Sequence, residues 1–290
     1  MKQNIFDIVN SQQHPAMEIK RIDTLLHESG GVYVAHDFLN ITDDGSPKSV
    51  VEYVDDRLFR SWKQRGTCIS CNDFRKVLGI TTIPQYDDEV SEEFILTYCE
   101  YAANILFLLT EKIDKCDAIS DTVETTEENI KKFLGWYNYE LKYYPREEMV
   151  LVVSKNAAAT VVAESTKNQS LAYCITEYNH FLLKGNMKRK KEILLMIGAD
   201  LEPRRKELNN ADAKLEKSIF FLLNNMNLRH NNREKGSKSF NKKVAAMRNS
   251  TLEKWYDKTY QLMLTAYMIL DCKKLIDEID DFAKQMKNPG

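Results

Sequence analysis

The polar segment 227–238 carries the residue types best suited to chemistry in this chain. It contains the run Arg229-His230-Asn231-Asn232-Arg233 and, after it, Lys235 and Lys238. A guanidinium offers fixed N–H donors to phosphate oxygens, an imidazole transfers protons near neutral pH, and an Asn side chain can orient either group. These groups suit the cleavage of a phosphodiester in which the RNA 2′-hydroxyl is the nucleophile.

We expect catalysis from two neighbouring residues. Arg229 would hold a phosphate and His230 would transfer the proton. Contacts to the RNA backbone would come from basic residues, because Lys and Arg neutralise phosphates. The expected binding and positioning residues are Asn231, Asn232, Arg233, Lys235, Lys238, Lys242 and Lys243, with Arg248 nearby. No metal ion or cofactor is expected to take part.

The same polar run also has a purely structural interpretation. Asn favours helix ends and turns, so residues 227–238 could be a solvated loop between two helices, with Asn231 or Asn232 as a C-cap. Apolar residues recur at helical spacing on both sides of the segment. Before it they are Leu215, Ile219, Leu222, Leu223 and Met226, and after it residues 250–286 are predicted to form one long helix.

The composition favours a helical protein. Only ten Gly and six Pro occur among 290 residues, and 29% of the residues are charged, which is typical of chains with few obligatory turns. The net charge of −2 excludes a uniformly basic nucleic-acid-binding protein. The charge is uneven, however, because residues 87–128 hold thirteen acidic residues and two Lys, whereas residues 226–254 hold eight basic residues and two Glu. The second region can therefore attract polyanions locally.

We predict an all-α, multi-helix bundle that can divide into two helical subdomains. The expected parts are an N-terminal helical domain (1–116), an acidic linker (117–126) and a C-terminal helical bundle (127–290). A central helix is expected over residues 88–115, and another is expected to start at Ser46-Pro47. The β-branched run at residues 149–153 suits a short strand, but no partner strand is evident, so we favour a helix there.

Cys68 and Cys71 have the spacing of a zinc or redox dithiol. A structural zinc site needs two more ligands at matching spacing, and a redox motif needs a βαβ context. Neither follows in this sequence. We therefore interpret the pair as two ordinary cysteines at the start of a helix.

The longest apolar stretch is too short and too interrupted to cross a membrane. It covers sixteen residues, 94–109, and contains Thr97, Glu100 and Asn104, whereas a spanning helix needs roughly 20 apolar residues. A core helix is the simpler interpretation. The N-terminal residues lack the apolar region of a secretory signal. The sequence thus predicts a cytoplasmic protein that does not associate with a membrane.

A helical bundle in which an Arg and a polar residue lie near a helix end, ahead of a long helix, resembles the HEPN superfamily. Many members are ribonucleases of toxin–antitoxin, abortive-infection and other phage-defence systems. The family motif is an Arg, then usually Asn, Asp or His, then a His four to six residues after the Arg. Arg229 and His230 match its first two positions, whereas residues 233–235 are Arg, Glu and Lys, so that the motif's own His is absent.

The resemblance extends over residues 127–290 at most. It implies a metal-independent endoribonuclease, or an RNA-binding effector, in a phage-defence or toxin context. It also implies a homodimer, because two copies of the motif usually meet across a dimer in active members. The alternative function, from another class, is a non-enzymatic helical scaffold whose long helices, 88–115 and 250–286, bind protein partners.

Overall fold

The computed structural model describes residues 14–34, 47–113 and 117–287. These residues form mainly α-helices with two small β-sheets, which confirms the predicted all-α, multi-helix fold class. The chain divides into two compact units, Met1–Ser154 and Lys155–Gly290. The boundary therefore lies after residue 154, and not in the predicted acidic linker at 117–126.

The helices of the first unit surround one central helix. They are α1 (Pro15–His27), α2 (Val50–Arg57), α3 (Cys71–Val77), α4 (Glu92–Lys112) and α5 (Asp121–Trp136). Three two-residue strands, β1 (Val32–Tyr33), β2 (Pro47–Lys48) and β3 (Ala118–Ile119), form an antiparallel sheet with β1 in the middle. Strands β4 (Tyr139–Tyr144) and β5 (Met149–Ser154) form an antiparallel hairpin.

Helix α4 is the central element of the first unit. The Ser91 side chain accepts a hydrogen bond from the Phe94 N–H, and Glu92 and Glu93 lie in the first turn, where the helix dipole favours negative charge. The helix is buried on most sides and contacts α1, α2, α5 and β5. The predicted core helix is confirmed, with bounds of 92–112 in place of 88–115.

One buried asparagine joins α4 to the hairpin. The Asn104 Nδ2 donates a hydrogen bond of 2.8 Å to the Val150 carbonyl oxygen, and Asn104 Oδ1 accepts one of 2.9 Å from the Val150 N–H. The Val152 N–H donates to the Glu100 carboxylate at 2.7 Å. This hairpin corrects the helix expected at residues 149–153. Its partner strand is β4, which pairs with β5 from Tyr139 opposite Ser154 to Tyr144 opposite Met149.

Two other local predictions are wrong. The segment 117–126 is not a linker, because it contains β3 and the first residues of α5. Helix α2 does not begin at Pro47, which lies in β2. It begins after Ser49, whose side chain accepts from the Glu52 N–H, while the Glu52 carboxylate accepts from the Ser49 N–H. This reciprocal capping box satisfies two helix-end donors.

The second unit is a bundle built on one long helix. Its helices are α6 (Ala157–Ser165), α7 (Gln169–Glu177), α8 (Met187–Leu201), α9 (Arg205–Ala211), α10 (Ala213–Asn225), α11 (Lys242–Ala245) and α12 (Asn249–Lys287). Helix α12 has 39 residues and contacts α6, α8, α9 and α10. The long helix predicted at 250–286 is therefore confirmed. The residues that join α10 to α12 are those predicted to do chemistry.

We expect the substitution Asn104→Leu to destabilise the first unit. Leu has a similar volume, but it leaves the buried Val150 N–H and carbonyl without their partner, at a cost of about 3 kcal/mol. Thermal or urea unfolding of the full chain measures this change in the free energy of unfolding. The control is Asn72→Leu on the exposed surface of α3. Equal effects of the two substitutions would contradict the bridging role of Asn104.

Candidate nucleic-acid interface

Residues 227–248, here called the basic loop, connect α10 to α12 and include the short helix α11. Helix α10 ends at its C-cap Met226. The next residue, Asn227, has a φ of 58°, a left-handed conformation that Asn adopts more readily than most residues. The chain thus leaves the helix by a sharp turn, and neither Asn231 nor Asn232 is the predicted C-cap.

Asn232 is a buried residue whose side chain hydrogen-bonds to two other parts of the basic loop. It is 2% exposed. Its Oδ1 accepts a 2.9 Å hydrogen bond from the Asn227 N–H, and its Nδ2 donates one of 2.9 Å to the Ser239 carbonyl oxygen. The Asn232 carbonyl accepts from the Asn241 N–H at 2.8 Å. Both ends of the Asn232 side chain are therefore used within the loop, and its predicted role in binding or positioning stays a prediction.

Arg229 is bound within its own chain. Its guanidinium donates to the Glu202 carboxylate and lies over the ring of Phe220, with Cζ 5.2 Å from the ring centroid. Arg205 Cζ lies 4.1 Å from the same centroid. A hydrogen bond to Glu216 raises the pKa of Arg205, and the two guanidinium groups lie beside two carboxylates, those of Glu202 and Glu216. The geometry therefore speaks against the phosphate-binding role predicted for Arg229.

Arg233 fastens the basic loop to the start of α12. Its Nη1 donates to Asn249 Oδ1 at 2.8 Å, and its Nη2 donates to the Met247 carbonyl oxygen at 2.9 Å. Tyr256 on α12 hydrogen-bonds to the Asn227 carbonyl at 3.4 Å, and burial raises its pKa to about 12. Both terminal nitrogens of Arg233 are therefore used within the protein, and its predicted contact with phosphate stays a prediction.

The remaining basic side chains point to solvent. Lys235, Lys238, Lys242, Lys243 and Arg248 are all exposed. Within the described residues, none of these five forms an ion pair. The loop has a single acidic residue, Glu234, whose carboxylate accepts a 3.0 Å hydrogen bond from Asn231 Nδ2. The four predicted lysine contacts therefore lie on one connected loop whose free charge is positive.

His230 is exposed and next to the engaged arginine. Its carbonyl accepts a 2.9 Å hydrogen bond from the Asn232 N–H. No hydrogen bond to its ring occurs among residues 14–34, 47–113 and 117–287. The site therefore supplies no neighbour that would orient this imidazole as a proton-transfer group.

One aromatic residue of the loop was missed by the sequence reasoning. Phe240 is exposed and lies between Lys238 and Lys242 in the chain. An exposed aromatic ring among basic residues is typical of surfaces on which nucleic-acid bases stack. The signal was present in the run Lys-Ser-Phe-Asn-Lys, where a large apolar side chain lacks the neighbours of a helix stripe.

A surface groove of about 810 Å³ lies elsewhere in the second unit. Its apolar lining includes Trp255 and Phe221, of which Phe221 is 58% exposed. Lys214 and Lys217 contribute to the same groove. It offers apolar contact area with positive charge beside it.

The cysteine pair is buried at the start of α3. Cys68 and Cys71 are buried free thiols, and burial raises the pKa of Cys71. The Cys71 N–H donates to the Asp55 carboxylate at the start of α3. In the described part of the chain, no three His, Cys, Asp or Glu residues are grouped as metal ligands.

No family model, no curated protein and no solved structure matches this chain. The resemblance to the HEPN superfamily therefore stays a prediction, carried by Arg229 and His230 alone. Among the residues that the structure describes, no helix has the length and apolar character that crossing a bilayer requires.

We expect Asn232→Ala to loosen the basic loop. The substitution leaves the Asn227 N–H and the Ser239 carbonyl without their side-chain partner, and we expect a loss of about 2 kcal/mol in the free energy of unfolding. The matched control is Asn231→Ala, because Asn231 is exposed and bonds only to the exposed Glu234. Denaturant unfolding and amide hydrogen exchange of the loop measure the difference. A larger loss for the control would contradict this assignment.

Proposed function

We propose that the second unit binds RNA through the exposed lysines of the basic loop. One observation carries this proposal: two basic residues of the loop are bound within the protein, whereas the other five are exposed and, in the described part of the chain, unpaired. Arg229 and Arg233 are used within the protein, whereas Lys235, Lys238 and Lys242, with Lys243 and Arg248, are exposed and lack ion-pair partners in the described residues. Exposed cations that are not neutralised by nearby carboxylates are available to phosphates.

The conformation of the loop supports this proposal. Asn232 crosslinks three parts of the loop, and Arg233 attaches it to α12. A surface that is already ordered loses less conformational entropy when a ligand binds. The lysine side chains themselves remain flexible, which suits the variable backbone of single-stranded RNA.

The chemistry of these groups favours binding that depends little on sequence. A Lys ammonium contacts phosphate as a point charge and reads no base edge. Phe240 offers a ring on which any base can stack. We therefore expect affinity for single-stranded RNA of mixed sequence, with strong dependence on salt.

The test is the quadruple substitution of Lys235, Lys238, Lys242 and Lys243 by Ala. Loss of up to four phosphate contacts should weaken binding at least about tenfold and reduce the slope of log K against log salt by about 2–3. Fluorescence anisotropy with a labelled single-stranded RNA, measured across a salt series, gives both values.

The matched control removes four exposed lysines elsewhere, namely Lys20, Lys76, Lys132 and Lys167. It changes the net charge by the same amount but leaves the basic loop intact. Equal losses of affinity in the two variants would overturn the loop as the binding surface, as would a wild-type protein that does not bind RNA.

Ribonuclease activity in a phage-defence or toxin context stays a prediction from the HEPN resemblance. For Arg229 to contact a phosphate, it would have to leave the Glu202 carboxylate and the Phe220 ring. RNA binding needs no such rearrangement. The geometry therefore supports the RNA-binding effector better than the enzyme.

We expect Arg229→Ala with His230→Ala to leave RNA turnover at the background of the wild-type protein. The same variant should lose about 1 kcal/mol of stability, because the partly exposed ion pair of Arg229 with Glu202 and its contact with the Phe220 ring are lost, while Arg205 still hydrogen-bonds to Glu202. Gel analysis of labelled RNA and thermal unfolding measure the two effects. The single variant His230→Ala is the control for folding, since its side chain is exposed. RNA cleavage by the wild type that disappears in the double variant would restore the enzyme hypothesis.

A second candidate function, protein interaction, is favoured by the groove beside α10. Phe221 and Trp255 offer apolar contact area, and Lys214 and Lys217 suit acidic residues of a partner. This arrangement fits the predicted helical scaffold. It uses a different surface from the basic loop, so the two functions are compatible and separable by substitution.

A further inference from the structure

The last four turns of α12 carry an apolar stripe that is exposed in the described part of the chain. The last residue of this helix in the hydrophobic core is Leu270. Beyond it the large apolar side chains are each 55–68% exposed. They are Leu275, Ile276, Ile279, Phe282 and Met286.

The spacing of the stripe is that of a coiled coil. Cys272, Leu275, Ile279, Phe282 and Met286 are separated by three, four, three and four residues. This alternation places them at positions a, d, a, d and a of the heptad repeat.

The stripe lies beyond the last core residue of α12. Each residue advances about 100° around an α-helix, so that Phe282 has the same azimuth as the buried Leu264, five turns earlier. Leu275, Ile279 and Phe282 are therefore exposed because the helix extends past the core, which ends at Leu270. A second helix can therefore approach the stripe without displacing the core contacts of α12.

We propose that residues 271–287 form a parallel, in-register coiled coil with the same segment of a second copy of this chain. The flanking charges select the orientation. In a parallel pair, Glu278 at position g faces Ala283 at position e, and Asp271 faces Ile276. In the antiparallel pair that packs Leu275 against Ile279, the two copies of Glu278 would face each other, and like charges at such positions disfavour pairing.

The size of the interface predicts a weak dimer. Residues 272–286 span about 22 Å of helix. Burying five side chains from each copy removes on the order of 1,000 Å² from water, which is near the lower limit for a specific interface. Dimerisation should therefore depend on protein concentration.

A dimer of this kind is a property additional to RNA binding. It would place two basic loops in one particle and increase the avidity for a long RNA.

Cys272 provides a direct test of the orientation. Of the cysteines that the structure describes, it is the exposed one. In the parallel pair the two copies of Cys272 occupy the same a layer, where their Cα atoms lie within the roughly 4–7 Å that a disulfide needs. Two thiols then lose two protons and two electrons to an added copper–phenanthroline oxidant and form one disulfide. A Cys116→Ser background removes a thiol that lies outside the described residues.

We expect oxidation of the full-length protein to give a disulfide-linked dimer on a non-reducing gel. Sedimentation at increasing concentration should show reversible dimerisation even after Cys272→Ser. The double variant Leu275→Ser with Ile279→Ser should remove both results. The matched control, Asp277→Ser with Asp280→Ser, changes outward positions of the same turns and should retain both.

Three outcomes would overturn this inference. The first is a monomer up to about 100 µM, a range in which even weak specific pairs associate. The second is a dimer that survives the Leu275→Ser and Ile279→Ser substitutions. The third is a dimer that does not crosslink through Cys272, which would exclude the parallel arrangement. None of these results depends on RNA, so that failure of the dimer and failure of RNA binding are distinguishable.

Discussion

Backbone N–H and carbonyl groups that leave water must find hydrogen-bond partners, and in this chain two buried asparagines supply them. A carboxamide carries a donor and an acceptor at one end of a short side chain, so that it can satisfy both kinds of group. Asn104 does so for the edge of a β-hairpin, and Asn232 for the basic loop. Without such partners each segment would contain buried polar groups at a cost comparable to several apolar contacts. These two asparagines therefore help to stabilise the two non-helical segments that they contact, the β-hairpin and the basic loop.

The choice between arginine and lysine follows the same logic in the basic loop. A planar guanidinium makes several hydrogen bonds in fixed directions, which suits Arg233 as it holds a side chain and a carbonyl together. An ammonium is strongly hydrated and moves on a flexible stem. The residues used for internal structure are arginines, and most of the residues left at the surface are lysines. Net positive charge and a defined conformation thus coexist, although like charges repel one another.

The sequence predicted what periodicity can encode and missed what depends on distant partners. Helices α4 and α12 were predicted because their apolar residues recur over many turns. The hairpin was missed because no partner strand was evident for the β-branched run at residues 149–153. The turn that ends α5 ahead of β4 is set by Asn138, with a φ of 62°. The sequence showed that the basic loop is rich in Lys and Arg, but it did not indicate that Arg229 binds a carboxylate of its own chain. Its partner Glu202 lies 27 residues away, and no local pattern indicates that pairing.

Helix α12 is a single element of 39 residues, about 58 Å long, with the basic loop attached to its first turn and no core contact along its last four turns. An α-helix resists twisting, because each turn is hydrogen-bonded to the next. Any torque applied at the far end of such a rod is therefore transmitted to its first turn, where Arg233 hydrogen-bonds to Asn249. The direction in which the basic loop faces is consequently coupled to any partner that binds the opposite end of α12. The two ends are farther apart than most small domains are wide.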